Sequence, residues 1–147
     1  MTVTRPARML AVAAAVLALA AGVTACGGSG GGDDKTKVED RVNTLYDSFA
    51  SKDEKGICSS LSDKQKKEIT KSGNRGGKKQ SCEEIMKFAL AFLGDQLKDA
   101  KNAKVTDVKI DGEKATATVE YKGKKGRLGL AEDGGDWLID DFNLRKI

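Results

Sequence analysis

The fold turns on residues 105–122, VTDVKIDGEKATATVEYK. Ala115, Ala117, Val119 and Tyr121 take one side of this stretch and Thr116, Thr118, Glu120 and Lys122 the other, the two-residue period of a strand with one dry and one wet face. Asp111-Gly112 is a hairpin signal that joins it to a preceding strand carrying Val105, Val108 and Ile110. Downstream, Gly123 marks a turn, Leu128 and Leu130 a third strand, and residues 132–135 another turn. Residues 137–142 close the sheet, with Trp137 and Ile139 expected on one face and Leu138, Asp140 and Phe142 on the other.

Before Asn102 the spacing is helical. Val38, Val42, Leu45 and Phe49 lie four, three and four residues apart, one stripe of a helix from Lys35 to Ala50 that Tyr46 widens. Asp33 and Asp34 are start residues, and polar residues 52–55 with Gly56 are expected to end it. Ile57, Cys58 and Leu61 form a short apolar step. Ser62 with Gln65 has capping-box spacing for a brief helix to about Thr70. Residues 71–80 contain no apolar side chain and read as a loop. Ser81 and Glu84 repeat the box at the head of a helix to about Ala100 with Ile85, Met86, Phe88, Ala89, Phe92, Leu93 and Leu97, in which Gly94 is a candidate kink. Helices first and an antiparallel meander afterwards predict an α+β fold, with N-terminal helices on one face of a four-stranded antiparallel sheet.

The N-terminal 25 residues are of another kind. Arg5 and Arg8 precede an apolar run from Met9 to Val23, and small Thr24 and Ala25 come before Cys26, the three parts of an export signal. The run is shorter than the roughly 20 residues a membrane-spanning helix needs. Val23, Thr24, Ala25 and Cys26 resemble the end of a bacterial lipoprotein signal, whose cysteine receives a diacylglycerol before cleavage at its N-terminal side. The resemblance implies residues 1–25 as signal peptide, residues 26–34 as lipidated cysteine and glycine-rich tether, and residues 35–147 as the domain. It places the protein at the cell membrane, lipid-anchored and facing the extracytoplasmic side. Two acyl chains suffice for lasting attachment.

Arg5 and Arg8 are the only charges before Cys26, so the net +4 of the chain falls to +2 in the exported part. A third of the residues are charged and only 5% aromatic, which leaves a thin core for one domain. Of three cysteines, lipidation takes Cys26 and leaves Cys58 and Cys82, which read as a disulfide in an oxidising compartment. The rival, a zinc site, would need two more ligands in a chain without histidine.

The order of elements resembles the NTF2-like (cystatin-like) lipoproteins of actinobacterial envelopes. The residues that carry this are Leu45, Tyr46 and Phe49 in the first helix, the Cys58 and Cys82 pair, the strand from Ala115 to Val119, and the closing run from Gly135 to Ile139. The resemblance spans roughly residues 35–145. It implies a curved sheet wrapped on helices as a cone, hollow and ligand-binding in some members and filled in others. Tyr46, Phe49, Phe92, Ala117, Tyr121 and Trp137 are the candidate lining of a pocket or core.

With no histidine, Ser-His and Cys-His nucleophilic sites are excluded. A carboxylate base in the cone could still serve an isomerase or dehydratase, with Tyr46 and Asp47 or Tyr121 and Asp140 in the parts. Core tyrosines and solvated acids are the stronger reading of all four, and no catalytic residue, metal ligand or cofactor is assigned. Ala115 and Ala117 either leave room for a ligand or, the stronger reading, let a helix approach closely. Lys64, Lys66, Lys67, Lys71, Arg75, Lys78 and Lys79 form a basic cluster, a solvated loop or a contact for anionic headgroups. Nucleic acid is not expected, because no aromatics interleave with these bases. The expectation is a membrane-anchored, non-catalytic binding or interaction domain whose partner is a small apolar ligand or an envelope protein. A purely structural envelope protein is the remaining alternative.

Overall fold

The computed structural model describes residues 31–73 and 79–142. The signal, Cys26, most of the tether, Arg75 and Lys78 lie outside the described residues. Helix α1, Gly31–Ser51, opens about a turn before the expected start at Lys35, with Asp33 and Asp34 in the first turn, where they oppose the positive end of the helix dipole. It ends at Lys52, in a left-handed conformation (φ 58°), with Asp53 N–H donating to Ser48 O at 2.8 Å. Gly56 therefore terminates nothing. It lies inside a short helix α2, Glu54–Ser59, which the sequence pattern missed. Helix α3, Asp63–Gly73, follows, then α4, Cys82–Leu97, which runs unbroken through Gly94, and a 3₁₀ turn, Ala100–Asn102.

The second capping box forms in full: Ser81 Oγ accepts from Glu84 N–H at 3.2 Å, and the Glu84 carboxylate accepts from Ser81 N–H at 2.8 Å. The first forms only in half. Ser62 Oγ accepts from Gln65 N–H at 3.1 Å, but the Gln65 amide donates to Phe142 O instead.

Strands β1 (Lys104–Asp111), β2 (Lys114–Tyr121), β3 (Lys124–Asp133) and β4 (Asp136–Asp141) form an antiparallel sheet in sequence order. The β3–β4 loop is two residues, Gly134 (φ 62°) and Gly135 (φ 92°), the double left-handed turn that matches strand twist. The chain is thus α+β, with its helices packed against the sheet. Helix α1 lies on the sheet, and α4 packs on α1, α2 and α3. Val38, Val42, Leu45 and Phe49 meet Ala115, Ala117, Val119, Leu128, Leu130, Trp137 and Ile139 in a continuous core. The small side chains of β2 let the helical layer sit close.

Two bulges reset this sheet. Pairing passes from Val105↔Val119 to Asp107↔Thr118, which leaves Thr106 over and keeps Val105, Val108 and Ile110 on one face despite the odd gap. It also passes from Leu130↔Ile139 to Gly129↔Asp141, leaving Asp140 over. This second bulge reverses the parity of the strand end. Phe142 is consequently buried on the same side as Trp137 and Ile139, a correction to the alternation expected from the sequence.

The Ser60–Ser62 linker adds a parallel rung to the free edge of β4, with Ser62 N–H to Ile139 O and Ile139 N–H to Ser60 O, both 2.8 Å. Cys58 and Cys82 form a disulfide that joins α2 to the first residue of α4.

Candidate functional site

Of the six candidate lining residues, five gather in or beside the core. Tyr46, Phe49, Ala117 and Trp137 are buried and Tyr121 is half-buried. Tyr46 sits edge-on to Phe49 (6.5 Å between centroids) and tilted to Tyr121 (6.3 Å), and Phe49 stacks on Phe142 at 5.5 Å. Phe142 is the member sequence reasoning missed. Burial, with Tyr121 beside it, pushes the Tyr46 hydroxyl above its ordinary pKa, so it stays neutral. The Tyr121 hydroxyl donates to Gln96 O at 2.7 Å, tying β2 to the end of α4.

Phe92 is the exception and a correction: it is 85% exposed. Helix α4 is apolar on two sides. Cys82, Met86, Leu90, Gly94 and Leu97 face inward, while Ile85, Phe88 and Phe92, three and four residues apart, form a second stripe on which Phe88 is 63% exposed.

The carboxyl–tyrosine pairs do not assemble into a base site. Asp47 is exposed, whereas its neighbour Tyr46 points into the core. Tyr121 is level with Lys124 at one end of β3, and the Asp140 bulge lies beside residues 129 and 130, about 18 Å along the strand. The Asp140 carboxylate accepts from Lys64 Nζ and Ser62 Oγ, both at 2.7 Å. The Lys64 bond, assisted by Ser62, holds its pKa below the usual carboxylate value against a smaller opposing effect of burial. Glu83, the other shifted carboxyl, is also lowered, chiefly by backbone and Ser81 hydrogen bonds at the head of α4.

One groove, of about 230 Å³, lies between α1 and the start of β4, lined by Lys37, Asp40, Arg41, Thr44, Asp136 and Trp137. Two cations face two carboxylates there, and Lys37 is within 3.6 Å of Asp34 as well. The Trp137 indole N–H is buried with no acceptor among the described residues. The groove can hold a polar group by hydrogen bonds and ion pairs. Among the described residues no three His, Cys, Asp or Glu side chains are placed to hold a metal ion. Nor is any described helix long and apolar enough to cross a membrane.

No protein family, curated protein or solved structure matches this chain.

Proposed function

We propose that the protein is a cell-envelope lipoprotein, held on the extracytoplasmic face of the membrane by a diacylglycerol on Cys26, with a small non-catalytic binding or interaction domain of NTF2-like type. The observation that carries this is the cystine. Pairing Cys58 with Cys82 suits an oxidising compartment, and it leaves the cysteine that follows the export signal without an internal mate. The helices-then-meander order supports the NTF2-like reading. Aromatic and aliphatic side chains between α1 and the sheet, with no inward carboxyl among the described core residues, favour a binding module over a carboxylate-dependent isomerase.

Intact-mass measurement on membrane-extracted protein tests the anchor. The expected species begins at Cys26 and carries the added mass of a diacylglycerol. Cys26→Ser is expected to leave the membrane fraction with residues 1–25 uncut. A Cys26→Ser protein that is cleaved at the same bond and still sediments with membranes would overturn the proposal.

A further inference from the structure

The geometry points to the Ile85, Phe88 and Phe92 stripe of α4 as a docking face for the lipid surface to which the chain is anchored; this rests on the proposed lipidation of Cys26. Only residues 27–30 separate Cys26 from the first turn of α1, and at about 3.5 Å per residue such a link spans less than roughly 20 Å. Such a lead holds the start of α1 within about 20 Å of the headgroups, so a face of the domain suited to them lies within reach.

The α4 stripe is the face whose chemistry fits. Phe88 and Phe92 are the two large apolar side chains exposed among the described residues, and they adjoin one another on a single helix. Phenyl rings enter the boundary between headgroups and acyl chains. Charges of both signs surround the stripe: exposed Glu84 lies four residues before Phe88 and exposed Asp95 three after Phe92, while α3, whose end abuts Ile85, carries exposed Lys67 and, paired with Glu68, Lys71, and Lys79 follows it. The apolar side chains therefore carry the contact with the lipid surface.

A second copy of the chain fits less well. Two phenyl side chains of about 200 Å² each, so exposed, offer roughly 300 Å², against some 800 Å² per partner in a stable dimer. The two acyl chains already retain the protein, so the stripe sets its pose. The free end of α1 lies by the anchor, and the other end, at Lys52, touches Gly94 of α4. Attachment at both ends lays α1 along the bilayer and turns the wet sheet face with Thr116, Thr118 and Arg127 outward.

Mature diacylated protein, beginning at Cys26, in vesicles whose acyl chains are brominated near the headgroup provides the test. Trp137 is the native tryptophan and only 2% exposed, so wild type gives the baseline. In Phe92→Trp and, separately, Phe88→Trp, the added emission is expected to fall by at least about half relative to unbrominated vesicles. Both positions are exposed, and an intact disulfide by mass verifies the fold. Unquenched emission in protein whose lipid mass is confirmed would overturn the docking face and leave the anchor standing. Emission that responds to protein density in the vesicle and not to bromine assigns the stripe to a second copy, and also overturns it. A preparation without the lipid mass overturns both readings.

Discussion

At the scale of single residues, Asp140 shows how one surplus position governs its surroundings. By bulging out of β4 it reaches Ser62 and Lys64 in the helical layer and lets Phe142 turn inward to stack on Phe49. Because its folded-state pKa lies below that of an ordinary aspartate, it contributes stability that is fully present above the ordinary aspartate pKa and is lost as pH falls through the folded value. Asp140→Asn is therefore expected to cost about 1 kcal/mol near neutral pH, after allowing for solvent screening. Urea unfolding at pH 7 and again near pH 2 checks the sign, since the gap between variant and wild type should close at the lower pH. A strict two-residue period could not place Phe142, because nothing in Ile139-Asp140-Asp141-Phe142 marks an extra residue. The bulge at Thr106 is not read from the sequence either, although its signal is there: Val105 and Val108, three positions apart, cannot share a face of a regular strand.

At the scale of elements, two of the helical glycines, Gly56 and Gly94, have opposite consequences. A side chain at Gly56 in α2 would collide with Ser48 Oγ and lie 2.5 Å from an Asp53 carboxylate oxygen, wedging α2 away from α1. Gly56→Ala is expected to destabilise by about 1–2 kcal/mol despite the better helix propensity of alanine. A side chain at Gly94 in α4 meets only the far end of Lys52, at 2.9 Å, which can swing aside. Gly94→Ala is expected to stabilise by about 0.5–1 kcal/mol. Thermal unfolding of the two variants side by side would distinguish them, and equal signs would refute the argument. The strands, α1 and α4 were legible because each carries several turns or alternations of pattern. Helix α2 was not, since six residues fall below the length at which local preference sustains a helix; contact with α1 and α4 and the disulfide hold it. Phe92 is expected in the pocket or core lining because α4 is apolar on both faces, and only the packed structure separates the buried stripe from the exposed one that holds Phe88 and Phe92.

At the scale of the whole molecule, a heavily charged domain with few aromatics depends on its cystine. Cys58 and Cys82 are 24 positions apart, and closing that loop contributes roughly 3–4 kcal/mol in the chain-entropy account. Reduction, or the paired Cys58→Ser and Cys82→Ser variant, is expected to lower the melting temperature by at least about 12 °C, measured by calorimetry with and without reductant. A change of a degree or two would show that the helices hold without it. The α+β class was legible from the switch of period at Asn102, and the outcome for the candidate lining was mixed: five of the six positions gather at the core and Phe92 does not. The linker rung on Ile139 has a further effect on how copies of the chain can meet. Growth of a fibril by strand addition needs two open margins on every subunit. Among the described residues the middle of the β4 margin is occupied and β1 is left open, so strand-to-strand association through these margins stops at a pair.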